Sequence, residues 1–453
     1  MAKSMTEGRP LKLIVQFALP LLLGNILQQT YNIIDAAIVG RILGTEALAG
    51  VGASSSVQFM VLGFCIGVNA GFGVPVSKSF GAGRLEEMRD YVYNAMVLTG
   101  GLAVIMAASF GLLCHWILHI MAVPEEIYSN AYQYLLVIFL GLPFTLLYNF
   151  VSSMLRSVGD SRTPFLFLAF STVLNIGLDV FCIVVLGWGC AGAAIATVTA
   201  QAVSGILCLG YIWKRVKLLR PSGDNCRMKP GAMRNLLIMG MPMGLQFSIT
   251  AIGSMVMQAA NNGLGSLYVS GFTAAVKIKQ FVLCPFDAIS TAVSVYCGQN
   301  LGAGRVDRIK KGILEGIAIA VTYGTLAGLV LILGGRTLSM MFVGSEAVEV
   351  LDVSAKYLRC LGYFFWSLGV LNVCRLSTQG LGFSGRAVFS GVTEMVARSI
   401  VSLVFVRSFG FTAICFADQT AWLTASCYIA PTCIMCVRKV ASVRALVENE
   451  IEM

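Results

Sequence analysis

Two carboxylates, an amide and a hydroxyl sit inside otherwise apolar stretches of this chain: Asp35, Asn175 with Asp179, and Thr197. Asn175 and Asp179 are four apart, so a helix would place them on one face, one turn from each other. Carboxylate, hydroxyl and amide oxygens are what a hard cation such as Na⁺ takes in place of water. Two neighbouring carboxylates can equally hold one proton between them. The three stretches, 13–39, 165–187 and 191–213, contain no Lys or Arg to neutralise the acids. That chemistry is ion capture and release, with no bond made or broken. Other constellations are weaker. Cys433 and Cys436 match C-x-x-C, but without a second ligand pair they read as small apolar packing residues. His115 and His119 lie four apart with no His-Glu signature beside them. Gly71–Ser79 faintly resembles a phosphate loop, but Ser77 stands where the glycine before the lysine belongs. None of these implies an enzyme.

The elements that must position these groups follow from composition. Of 453 residues, 57% are hydrophobic and 12% charged, with mean hydropathy +0.81. Soluble domains carry roughly 25% charged residues, so the chain lacks the polar shell that several water-facing domains would need. Apolar runs long enough to cross a ~30 Å hydrocarbon core recur at 13–39, 48–74, 92–115, 127–152, 165–187, 191–213, 236–261, 268–297, 313–334, 350–374, 387–408 and 411–437. The expected fold is an all-α polytopic membrane protein of twelve spans with short loops. On these bounds Asp35, Asp179 and Thr197 lie roughly 6, 12 and 9 Å below the outer ends of spans 1, 5 and 6 at 1.5 Å per residue. They can share one layer.

The net charge of +10 records topology, not a nucleic-acid partner. With both termini inside, 24 of the 32 Lys and Arg fall on the inner side and only Arg41, Arg336 and Arg407 in outer loops. Arg375 is counted here in the inner loop after span 10. This asymmetry is a strong positive-inside signal and predicts that both termini are cytoplasmic; the expected location is a bacterial cytoplasmic (inner) membrane.

The sequence also repeats itself at an offset of about 221 residues. Gly81-Ala82-Gly83-Arg84 returns as Gly302-Ala303-Gly304-Arg305, Leu19-Pro20 as Met241-Pro242, and Leu43-Gly44 as Leu264-Gly265. Six spans per half return the chain to its starting side, so the halves form two six-helix bundles in a parallel repeat, as in several transporters. The expected domains are 1–213, a cytoplasmic linker 214–235, and 236–453. Two such bundles meeting at a cleft could rock to give alternating access. Gln28, Tyr31, Asn32, Lys277, Asp287 and Asp418 are candidate cleft residues. Glu394 and Arg398, four apart, have the spacing of a structural intrahelical pair. Lys277, Lys279 and Asp287 can pair among themselves or line the cleft.

Taken together, these residues resemble the multidrug and toxic compound extrusion (MATE) transporters over about residues 10–440. The resemblance rests on Leu19-Pro20, Tyr31-Asn32-x-x-Asp35-x-x-x-Val39-Gly40, Gly81-Ala82-Gly83 and Leu155-Arg156-Ser157-x-Gly159-Asp160-Ser161-Arg162-Thr163-Pro164. Asn175-x-x-x-Asp179, Gly192-Ala193-Ala194-x-Ala196-Thr197 and Gly298-Gln299-Asn300-Leu301-Gly302-Ala303 complete it. It implies an antiporter exporting amphiphilic organic cations against H⁺ or Na⁺, with no cofactor beyond the coupling ion, here expected as a monomer in the bilayer. In the branch that includes archaeal and DNA-damage-inducible members, the cation site maps onto Asp35, Asn175, Asp179 and Thr197. Pro20 matches a proline at which the first helix bends. Carboxylates that a second branch uses in spans 7 and 10 are absent here. The runner-up reading is a flippase of lipid-linked sugars from the same superfamily, for which Lys277 and Lys279 would meet pyrophosphate.

Overall fold

The computed structural model describes residues 3–452 apart from Ala122, Ser222 and Ser345. The side chains of Asp224 and of residues from 447 onward are outside the description. The described residues form helices and no strand. The helices are α1 (Pro10–Ile42), α2 (Thr45–Gly81), α3 (Leu85–Ile120), α4 (Glu125–Leu140), α5 (Leu142–Ser157), α6 (Arg162–Val180) and α7 (Gly189–Arg215). The second half has α8 (Pro230–Asn262), α9 (Ser266–Gly302), α10 (Val306–Ser339), α11 (Val348–Gly380), α12 (Ser384–Ile400), the short α13 (Val406–Phe409) and α14 (Phe411–Glu452). Eleven stretches are long and apolar enough to span a membrane, and α4 with α5 makes a twelfth span bent by 47°.

The repeat written in the sequence is also written in the backbone. α1 and α8 each have 33 residues, and α2 and α9 each have 37. α6 runs into a π-helical turn, Phe181–Val185, and α12 into its counterpart, Val401–Phe405. The turns after α2 and α9 are built alike: Arg84 N–H donates to Ser79 O at 3.0 Å, and Arg305 N–H to Asn300 O at 2.9 Å. Those six-to-one bonds require a left-handed residue before the arginine. Gly83 (φ 71°) and Gly304 (φ 70°) supply it.

One correspondence breaks. Span 4, expected as one helix over 127–152, is interrupted at Gly141, whereas its counterpart α11 is continuous. Pro143 in the first turn of α5 has no N–H to continue the ladder. Gly141 also lies so close to α7 that an added Cβ would come within 2.2 Å of Val198 Cγ2.

The chain divides into two compact units. One comprises Met1–Ser4 and Leu23–Gly244, and the other Met5–Leu22 and Leu245–Met453. These bounds differ from domains of 1–213 and 236–453. The division falls inside α1, just past Pro20, and inside α8, just past Pro242. The expected linker 214–235 ends at Lys229, because α8 begins at Pro230. Its chain is fastened to α3 within the first unit. Asn225 Nδ2 donates to Asp90 Oδ1 (2.9 Å), and Lys229 Nζ pairs with Asp90 Oδ2 (2.6 Å).

Candidate functional site

In the first unit, α6 carries two of the sequence-selected groups. Its start is fixed by Asp160, whose Oδ1 accepts from Thr163 N–H at 3.0 Å and whose Oδ2 accepts from the Thr163 hydroxyl at 2.8 Å. Burial alone would raise the Asp160 carboxyl, but these bonds outweigh it and hold the group below its ordinary range. From that anchor Asn175 and Asp179 project from one face, 2% and 0% exposed. Asp35 of α1 (7% exposed) meets them, its carboxyl in hydrogen-bond contact with that of Asp179. The Asn175 amide is satisfied at both ends when its nitrogen donates to Asp179 Oδ2 (3.1 Å) and its oxygen accepts from Thr197 N–H (3.2 Å). The Thr197 and Tyr31 hydroxyls are 3.1 Å apart.

Asp35, Asn175, Asp179 and Thr197 therefore converge, with Tyr31 as a fifth member. The helix ends revise their depths. Asp35 lies seven residues from Ile42, Asp179 six from Val185 and Thr197 eight from Gly189, or roughly 10, 9 and 12 Å. Asp35 is deeper than expected because α1 continues past 39. One turn nearer those ends, Val39, Ile183 and Ala193 close over the layer as part of an apolar cluster. Within the layer, Asp35 Oδ1 and Asp179 Oδ1 are buried without a hydrogen-bond partner. No salt bridge reaches either acid among the described residues. Two touching carboxyls with no counter-charge need a cation, whether a proton or a metal ion, to coexist.

Two further residues belong here. Tyr134 of α4, 4% exposed, lies in the field of Asp35 and Tyr31, and its hydroxyl is hydrogen-bonded to Gln58 of α2. Neither is marked in the sequence, since both sit in spans with no acid. The remaining α1 candidates, Gln28 and Asn32, are exposed and outside the cluster.

The second unit holds a different arrangement. Glu394 and Arg398 do pair (2.8 Å), but as the middle of a longer chain of charges. Glu394 Oε2 also meets Arg375 Nη2 at 2.6 Å, and Arg398 Nε meets Asp418 Oδ1 at 2.9 Å. Asp418 Oδ2 accepts from Lys279 Nζ (2.7 Å) and the Tyr357 hydroxyl (2.6 Å). This corrects three expectations. Arg375 is not a loop residue: α11 continues to Gly380 and buries it. Asp418 is not a free contact for a substrate, because both its oxygens are engaged. Nor does Lys279 pair with a neighbour on α9; its partner is on α14. Asp287 is exposed within range of the Arg375 charge. Lys277 is half-buried, with no hydrogen bond or ion pair to another described residue. Cys433 and Cys436 pack in the apolar core of this unit.

Comparison with known proteins agrees with the repeat. The MatE family model matches residues 20–181 and again 242–405, once in each half. The probable multidrug resistance protein YpnP of Bacillus subtilis is 29% identical over 422 residues, covering 93% of this chain and 91% of its own. An FAD transporter of Shewanella oneidensis is 25% identical over 370 residues, 80% of each chain. A solved structure described as the outward-facing conformation of a multidrug resistance MATE family transporter of the MOP superfamily matches with a TM-score of 0.89. That match has 21% identity and covers 96% of this chain and 98% of the other.

Proposed function

The chain belongs to the MatE family, and we propose that it is a cation-coupled antiporter exporting lipophilic, often cationic compounds by alternating access. It is a membrane transporter and not an enzyme. The observation that carries the proposal is the Asp35–Asp179 contact, buried and uncompensated, with the Asn175 amide nitrogen facing Asp179 and the paired Thr197 and Tyr31 hydroxyls in the same cluster. Relatives named as multidrug resistance proteins support the class of cargo.

Exporting a monovalent organic cation alone works against an inside-negative potential at ~2.3 kcal/mol per 100 mV. Exchange for one entering H⁺ or Na⁺ cancels that electrical cost, so the ion gradient drives further concentration. Coupling then requires a site whose ion affinity differs between two conformations. The ion cancels one of the two negative charges of the Asp35–Asp179 pair. Its arrival removes the repulsion between the acids and lets α1 draw against α6. α1 bends where Pro20 already lacks a backbone hydrogen bond, a few residues from the division between the units. Cargo leaves as a result.

Both termini and the linker face the cytoplasm on this reading. Cysteines placed singly at Arg220 and Ile120, with exposed Cys226 and Cys427 replaced, test it. Only the second should react with an impermeant reagent from outside. The function is tested by dye efflux from proteoliposomes with Na⁺ and pH gradients imposed separately. Either gradient should drive efflux in the wild type, and neither in Asp35→Asn. If no cation is moved under any gradient while lipid-linked sugar is translocated, the flippase reading replaces this one.

A further inference from the structure

The turns after α2 and α9 share a backbone but not a charge. After Gly83 come Arg84, Glu86, Glu87, Arg89 and Asp90, and each acid is paired. Glu87 meets Arg84 at 2.9 Å, Glu86 meets Arg89 at 2.7 Å, and Asp90 meets Lys229 of the linker. After Gly304 the sequence turns basic, with Arg305, Arg308, Lys310 and Lys311. A cavity of about 420 Å³ opens at this second turn. Its walls are Gly304–Arg308 and Lys310 on one side and Ala441, Arg444 and Ala445 of α14 on the other.

Four cations line that cavity; Asp307 stands 3.9 Å from Lys310 and Glu7 3.6 Å from Arg305. The Arg308 guanidinium is held by neutral acceptors: Asn300 Oδ1 (2.9 Å), Gly8 O (2.8 Å) and Met5 O (3.3 Å). Those bonds fix its position and leave its charge uncancelled. Arg444 lies against Gly304, where an added Cβ would come within 2.7 Å of Nη1. The first backbone N–H groups of α10 add the positive end of a 34-residue helix. An apolar side chain adjoins the basic wall: Leu314, one turn beyond Lys310 on the same face of α10, is 67% exposed.

We propose that this cavity is a binding site for the phosphate of an anionic phospholipid, with an acyl chain lying along Leu314. Arginine and lysine forks suit phosphate oxygens, and basic pockets at the helix ends of membrane proteins meet anionic headgroups. The exposed apolar flank favours a lipid over a soluble phosphate.

Purified protein is titrated with phosphatidylglycerol and with phosphatidylcholine, and retained lipid is counted by native mass spectrometry. The wild type should hold one phosphatidylglycerol at least tenfold more tightly than phosphatidylcholine. Lys310→Gln/Arg444→Gln should lose that preference by about tenfold or more, each cation near a headgroup having a substantial effect. Arg444→Lys should keep most of it, and Arg84→Gln at the corresponding turn should change nothing. Melting temperature checks that each variant is folded. Equal retention of the two lipids by the wild type, or an unchanged preference in the double variant, overturns the site. Displacement of the lipid by millimolar inorganic phosphate would overturn the choice of a lipid as occupant.

Discussion

Position for position, the two units use one scaffold and charge it oppositely. Counting from Thr45 and Ser266, Gln58 and Lys279 are both fourteenth in their helices. Counting from Glu125 and Val348, Tyr134 and Tyr357 are both tenth. Ile176 and Arg398 are both fifteenth in α6 and α12, and Thr172 and Glu394 both eleventh. Ala196 and Asp418 are both eighth in α7 and α14. The tyrosine persists while everything around it changes. In the second unit its partners are an ammonium and a carboxylate locked into a chain of five charges. In the first, its partner is a glutamine and the nearest charges are two acids with no cation. Where Asp179 stands, the second unit has Val401, the first residue of the π-helical turn after α12. A buried charge that is fully paired can only be lost at great cost, whereas one left unpaired must be neutralised from outside. On the proposed function, the first unit is the half that exchanges an ion, while the second keeps its charges paired.

The largest effect should come from cutting the chain at its middle. Glu394→Gln leaves Arg375 and Arg398 buried without their shared acid. Removing one partner of such a pair costs about 3–5 kcal/mol. The variant should show a large drop in melting temperature in detergent, with little folded protein recovered. Normal stability would mean that the second unit does not depend on its charges, and the contrast between the units would fail.

The mirror experiment in the first unit should have the opposite outcome. Asp179→Asn and Asp35→Asn each remove one of two opposed acids, so melting temperature should stay level or rise. Gradient-driven efflux should nevertheless be abolished in Asp35→Asn and nearly so in Asp179→Asn. Asn175→Ala should follow Asp179→Asn, since the amide nitrogen is what faces Asp179 Oδ2. A destabilised Asp179→Asn that still transports would return both acids to a structural role.

The contrast was only half legible in the sequence. Acids in apolar spans without any Lys or Arg stand out in one dimension, and counting residues from a span end placed them in one layer. Helix periodicity sufficed because the partners are themselves conspicuous. The second unit hid its logic because Lys279–Asp418 and Arg375–Glu394 join different helices, and only packing reveals a pairing between elements. Arg375 was misplaced for a related reason. A lone arginine followed by Ser377, Thr378 and Gln379 reads as the end of an apolar run, yet all four are buried inside α11. The break in span 4 was foreshadowed by Gly141 and Pro143. Periodicity alone could not decide between a kink and a continuous helix, and α7 pressing on Gly141 decided it.

Converting one unit toward the other gives an intermediate effect. Lys279→Gln installs the residue that the first unit has at this position. Asp418 would retain Arg398 and the Tyr357 hydroxyl, so the loss should be about 1–3 kcal/mol, that of a charged hydrogen bond. Efflux per folded molecule should be unchanged. Loss of coupling in a well-folded Lys279→Gln would make the second unit part of the ion pathway and would blur the division of labour.

The smallest expected effect discriminates between the ions. A proton needs only the Asp35–Asp179 pair, because one hydrogen bond between two carboxyls satisfies it. Sodium needs several oxygens at once, and the neutral ones this cluster offers are Thr197 Oγ1 and the Tyr31 hydroxyl, since the Asn175 amide turns its nitrogen to Asp179. Thr197→Ala removes one such oxygen and leaves Tyr31 without its 3.1 Å partner. One lost neutral contact corresponds to about 0.5–1.5 kcal/mol, so Na⁺-driven efflux should fall about two- to tenfold. Efflux driven by pH should stay within about twofold on the same argument. Thr197→Ser, which keeps the oxygen, should behave as wild type, while Thr197→Val should behave as the alanine variant and exclude a packing effect. Equal losses under both gradients would mean that Thr197 only positions Asn175 and Tyr31, and that the layer is a proton site lined by hydroxyls and not a sodium cage.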